Sequence, residues 1–217
     1  MAMIRSLTFC LALASASVMA SGSCPDGTVE AVELITQHET TQLPGSKGLN
    51  IRGEGRGQVK HYFSVGGEEY IHEDSERRIP TGILETGGFA YRWAPFEKET
   101  WQVDGYIYRS SKGDKRDYNK RSQTVPRDHN PAVAIEEISA KTDNTDVFAG
   151  HRCRVSTKTI ASGATVSSCS LRIYGRNTPI DWQIVHEGGS KQTKQTLSLT
   201  QKCVDTTVFE IPERNWQ

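Results

Sequence analysis

The sequence predicts a mainly β chain folded around an antiparallel sheet, and three observations carry the prediction. A Gly-Gly pair stands at the centre of a strand pattern three times. Residues 59–65 run into Gly66-Gly67 and leave through 68–72. Residues 83–86 run into Gly87-Gly88 and leave through 89–93. Residues 182–187 run into Gly188-Gly189 and leave towards 196–199. Glycine pairs of this kind suit two-residue turns that need positive φ at both central positions. The flanks are rich in Val, Ile, Tyr, Phe and Thr, which fit a pleated, half-buried surface. No strand-helix-strand alternation occurs that would imply a parallel sheet.

The remaining elements follow in order. Residues 28–41 form a long strand candidate, followed by a loop from Leu43 to Gly48. Residues 94–99 read as a hairpin loop leading into a strand over 100–103. Residues 109–131 are polar, with seven Lys and Arg between Arg109 and Arg127 against Asp114, Asp117 and Asp128. This stretch reads as a solvated loop or as a contact for an anionic partner through Lys115, Arg116, Lys120 and Arg121. Asn130 as N-cap and Pro131 as first helical residue predict a helix over 131–138. Residues 207–211 form a closing strand stopped by Pro212, giving about nine or ten strands.

The 26 basic and 26 acidic residues of the 217 cancel, which argues against a nucleic-acid binder held by electrostatics. Arg5, the apolar run 6–16 and the small-x-small site Val18-Met19-Ala20 predict an export signal removed near Ala20. The run is shorter than the ~20 residues a membrane span requires, and no transmembrane segment is predicted in the mature chain. Lipoprotein processing at Cys24 is the alternative, but Ser21 stands where a large aliphatic is required. Without the signal, about 31% of residues are apolar, which is polar for a single core. The expected location is periplasmic or secreted.

Cys24, Cys153, Cys169 and Cys203 remain after Cys10 leaves with the signal, an even number that reads as two disulfides in an oxidising compartment. Three connectivities are possible. Cys153 and Cys169 flank the turn-like 161–164, which favours that pair and leaves Cys24 with Cys203.

Several runs resemble LolA/LolB-like periplasmic domains and related exported families. They are Phe148-Ala149-Gly150-His151-Arg152-Cys153-Arg154-Val155, then Cys169 to Gly175 with Pro179-Ile180, and the ending Val208-Phe209-Glu210-Ile211-Pro212. The hairpin from Gly88-Phe89-Ala90-Tyr91 to Trp101 is similar as well. The resemblance implies a curved antiparallel sheet forming an open half-barrel, with one or two helices over its concave face. The best-known members carry lipoprotein acyl chains in that cavity. The apolar fraction here supplies little material for a large greasy cavity.

Catalytic signatures are missing from the sequence: no G-x-S-x-G elbow, no H-E-x-x-H and no phosphate-binding P-loop. Gly53 to Gly57 reads as a bulged strand or loop rather than a nucleotide site. His72-Glu73-Asp74, the densest ligand-like cluster, reads as a solvated strand terminus, and no metal or cofactor is expected. Glu68 and Glu69 are strand neighbours pointing to opposite faces, so they cannot easily share a proton. The aromatic set is more suggestive. Tyr91, Trp93, Trp101, Tyr106 and Tyr108 recur at strand spacing, as a core ladder or as a ligand-lining surface. The expectation is a non-enzymatic binding protein for an amphipathic or lipid-like ligand or an envelope partner. An interaction factor without small-molecule cargo is the alternative, and a hydrolase stands behind both.

Overall fold

The computed structural model describes residues 24–42, 54–85, 89–112, 118–124, 127–136, 145–148, 150–161, 163–186 and 189–217. Twelve strands run through them: β1 (Thr28–Gln42), β2 (Gly55–Ser64), β3 (Glu69–Ile83), β4 (Phe89–Val103), β5 (Tyr106–Lys112) and β6 (Tyr118–Gln123). The second half supplies β7 (Ile135–Glu136), β8 (Thr145–Phe148), β9 (His151–Thr159), β10 (Thr165–Ile173), β11 (Arg176–Val185) and β12 (Ser190–Asp205). All belong to one antiparallel sheet in the order β6-β5-β4-β3-β2-β1-β12-β11-β10-β9-β8, and β7 adds to β10. The two ends do not meet, so the sheet is open.

The sheet curls. Glu69 on β3 and Arg176 on β11 lie four strand spacings apart, about 19 Å if the sheet were flat. Their side chains nonetheless form an ion pair. The face turned inward carries the main core: Val32, Leu34, Leu171, Ile173 and Ile180 are fully buried, with Phe63, Leu199 and the Cys153–Cys169 disulfide beside them. Each such aliphatic is worth about 1.5–3 kcal/mol of burial. The opposite face holds a smaller cluster of Ala31, Val204 and Phe209, flanked by Tyr62 and Tyr70. A 3-10 turn over Thr206–Phe209, capped by the Asp205 carboxylate accepting from the Thr207 amide, folds the chain end onto that face.

Residues 65–68 join β2 to β3 as a four-residue loop in which only Gly67 takes positive φ, 100°, so it is not the two-residue turn expected. The Gly67 amide donates to the Ser64 carbonyl at 3.1 Å. Between β11 and β12 the Gly189 amide donates to the His186 carbonyl at 3.0 Å, and Gly188 lies outside the described residues. Gly87 and Gly88 lie outside the described residues, though the strands they join pair as expected. Gly57 sits inside β2 because the neighbouring strand comes too close for a side chain. A Cβ there would lie 2.3 Å from the Ser75 Cβ.

Further expectations are corrected, and the closing strand expected over 207–211 is one of them, since that segment forms the 3-10 turn followed by irregular chain. Among the described residues there is no α-helix, and 131–136 form a turn leading into β7. Asn130 does accept from the Ala132 amide at 3.1 Å, but Ala134 then gives its carbonyl to the Tyr174 amide and Ile135 pairs with Ile173. The cap signal closes one turn, and ladder pairing by β-branched residues wins over helix continuation. Residues 94–99 are strand rather than loop. Pro95 pairs with Glu76 of β3, and the described part of β5 ends at Lys112 opposite Glu97. The polar stretch after Arg109 contributes the end of β5 and all of β6, so part of it belongs to the sheet.

Candidate functional site

The β2–β3 turn and the β10–β11 turn face one another across the mouth of the curled sheet. Tyr174 and Gly175 both adopt positive φ, 46° and 81°, which closes β10 onto β11 in a tight turn and delivers Arg176 immediately after it. On the other side, Glu69 opens β3. Between them lies a crevice of about 930 Å³.

Glu69 is the pivot. It is 3% exposed, and both of its oxygens are engaged. Oε2 lies 2.8 Å from His61 Nε2, and Oε1 takes Arg176 with Arg127 at 3.6 Å. His61 and Glu69 are diagonal neighbours on β2 and β3, since Phe63 is the residue opposite Glu69. Arg176 also donates to the Gly67 carbonyl at 2.6 Å, so one guanidinium ties both turns together. Burial alone raises the Glu69 carboxyl. The hydrogen bond from His61 and the nearby charges, Arg176 and Arg127 among them, outweigh that and hold it below the usual carboxylate range. Burial pushes His61 down, with Glu69 partly opposing. The resulting state is a neutral imidazole donating Nε2–H to an ionised carboxylate.

The segment 127–130 closes one side of the mouth. His129 Nε2 donates to the Val65 carbonyl at 2.9 Å and the Asn130 amide donates to the Tyr174 carbonyl at 2.8 Å. Tyr174 itself is buried, and its hydroxyl donates to Glu30 at 3.1 Å. Apolar surface comes from Phe63, Ile71 and Pro179, while Arg127, Arg172, Arg176 and Lys194 supply cations. With both Glu69 oxygens engaged by three partners, the carboxylate is better suited to ordering cations than to taking a proton from a substrate.

The aromatic residues singled out in the sequence share one face, but not this one. Trp101 stands opposite Tyr70 and beside Gln102, the partner of Glu69, so it points away from the crevice. Trp101 is 3% exposed, covered by Tyr70 and by Trp216 with ring centroids at 5.3 and 6.1 Å. Tyr108 packs edge-on against Trp216 at 5.2 Å, and Arg121 lies 3.9 Å over Tyr106. Further along the same face Arg78 covers Tyr91 and Arg56 covers Trp93, which is still 43% exposed. Lys120 is exposed on β6; Lys115 and Arg116 lie outside the described residues. Cys24 pairs with Cys203 and Cys153 with Cys169.

His72, Glu73 and Asp74 lie within β3, where alternation sends Glu73 to one face and its neighbours to the other. Among the described residues no cluster of His, Cys, Asp and Glu is placed to hold a metal, and no helix is long and apolar enough to cross a membrane. Sequence reasoning passed over His61, Arg176 and Lys194 because each is a lone polar residue in a strand. The available signal was phase: His61 alternates with Phe63, and Glu69 with Ile71, so charged groups occupy core-facing positions. No protein-family model, curated protein or solved structure matches the chain.

Proposed function

We propose that the protein is an exported, non-enzymatic binding protein that takes an amphipathic ligand into the crevice between the β2–β3 and β10–β11 turns. The observation that carries this reading is the combination of volume and lining. A space of about 930 Å³ is at the upper end of small-molecule sites, and it joins an apolar wall of Phe63, Ile71 and Pro179 to a cationic rim. The two disulfides fit an oxidising extracellular or periplasmic compartment, and the signal-like residues 1–20 support export. The motif resemblance to LolA/LolB-like domains supports a carrier on an open sheet. Without helices over the described sheet, the ligand is held at a mouth rather than under a lid.

Native mass spectrometry of the protein recovered from the exported fraction tests the reading. An adduct that survives gentle ionisation and leaves on denaturation is the expected result. A bare mass across preparations, with both disulfides formed, overturns the carrier role.

One observation favours the interaction-factor reading. The end of the β3–β4 hairpin runs past the last β2 pairing at Gly55, and Ile83 and Leu84 are exposed there, 76% and 48%. Exposed apolar groups on a projecting hairpin suit a protein partner. Replacing both by Ser leaves an adduct in place if the crevice is the site, and abolishes partner capture if the hairpin is.

A further inference from the structure

We propose that the crevice selects an anionic head group and that Lys194 is its counter-ion. The proposal rests on the amphipathic-ligand reading above and adds the charge that the ligand carries.

The argument starts from pairing. Of the cations lining the crevice, Arg176 is held by Glu69 and by the Gly67 carbonyl, Arg127 leans on Glu69, and Arg172 is paired with Glu136 at 3.5 Å. Lys194 is different. It is the fifth residue of β12, opposite Trp182 on β11 and His38 on β1, and its side chain lines both the crevice and a second cavity of about 410 Å³. It is partly buried, yet among the described side chains none lies within ion-pair distance of its ammonium. The groups nearest it electrostatically are His61, His38 and Asp181. An ammonium drawn into a cleft without a counter-ion within ion-pair distance is costly to keep charged, and such a group is a functional-site candidate.

Among the residues lining the crevice the cations Arg127, Arg172, Arg176 and Lys194 outnumber the carboxylates Glu69, Asp128 and Glu136, which suits an anionic head group. Phe63, Ile71 and Pro179 then receive the apolar part of the same molecule. Burial lowers the Lys194 amine below the usual lysine range, with Asp181 partly opposing.

The test uses three twelve-carbon probes below their micellar concentrations: laurate, dodecyl maltoside and dodecyltrimethylammonium. Each is titrated calorimetrically into the wild-type protein, Lys194→Met and Lys194→Arg. Laurate is expected to bind wild type at least tenfold more tightly than the other two. Lys194→Met is expected to lose at least tenfold in laurate affinity and leave dodecyl maltoside unchanged. Lys194→Arg stays within a few-fold of wild type. Empty Lys194→Met melts no lower than wild type, because it removes an unpaired ammonium and keeps the stem volume. Equal laurate affinity in wild type and Lys194→Met, or maltoside binding as tight as laurate, overturns the counter-ion role while the amphipathic reading stands. A Lys194→Met protein that fails to fold also overturns it, by making the ammonium structural. Failure of all three probes to bind wild type overturns the amphipathic reading itself.

Discussion

Replacing Glu69 by Gln asks whether one buried carboxylate holds the mouth of the sheet together. The Glu69 side chain is 4% exposed and Arg176 is 11% exposed, so the substitution leaves a buried guanidinium without its counter-ion. Removing one partner of a buried pair costs about 3–5 kcal/mol. The lower end applies here, because Arg176 keeps the Gly67 carbonyl at 2.6 Å and half-exposed Arg127 turns to solvent. A loss of about 3 kcal/mol lowers the melting temperature of a chain this long by roughly 6–12 °C.

Urea denaturation followed by circular dichroism measures the loss, and a cycle with Arg176→Met assigns it. The double variant is expected to recover much of the cost, since neither charge is then left alone. The pH dependence supplies a second readout. The folded Glu69 carboxyl titrates below its unfolded value near 4.5, so its contribution is fully present above about pH 4.5 and is lost as pH falls through the folded value. Glu69→Gln therefore flattens the acid limb of the stability curve. A loss under about 1 kcal/mol, or strict additivity in the cycle, refutes the reasoning.

Three further outcomes follow from the same structure. The His61 imidazole, followed by NMR, titrates below 6.5, so the neutral buried ring favours folding above pH 6.5 and that advantage declines as pH falls; a normal or raised midpoint contradicts the burial. Breaking Cys24–Cys203, which spans 179 residues, is expected to cost about 5 kcal/mol, and breaking Cys153–Cys169, which spans 16, about 3 kcal/mol. Melting temperatures of the two Cys→Ser pairs check the order. Gly57→Ala forces its methyl against Ser75 and is expected to cost about 1–3 kcal/mol, whereas a variant as stable as wild type shows that β2 and β3 separate easily.

The hairpins were legible because glycine pairs and β-rich flanks are local signals. The cysteine pairing was legible for a similar reason, since Cys153 and Cys169 bracket a single turn. The Asn130-Pro131 signal failed as a helix start because Ile135 finds a ladder partner in Ile173, contributed by a strand over thirty residues away. Residues 94–99 failed as a loop because they pair with β3 from Arg77 back to His72, a fact of sheet order that no local window contains. The site was the least legible part. Glu69 was weighed only against its neighbour Glu68, while its partner Arg176 comes from the far side of a curl separated by 107 residues. The aromatic face was visible as a stripe, but whether it met a ligand or the chain's own Trp216 depended on where the C-terminal segment folded back.

The strand order sets the sequence of events in folding. The first and last long strands, β1 and β12, pair with each other in the interior of the sheet from Thr28↔Asp205 to Gln42↔Ser190. Strands β1 to β6 form one meander and β8 to β12 another, each built from near neighbours. The seam between them is the most distant pairing in the chain. During synthesis β1 presents a fifteen-residue open edge until β12 has been made. Closing that seam across so long a loop is slow, and an open edge of Val, Leu and Ile invites pairing with another chain. The bond between Cys24 and Cys203 lies at one end of this seam, so its oxidation locks the slowest contact once made. A chain arrested before that step exposes both β1 and β12, and aggregation through those two edges is the failure mode this topology carries.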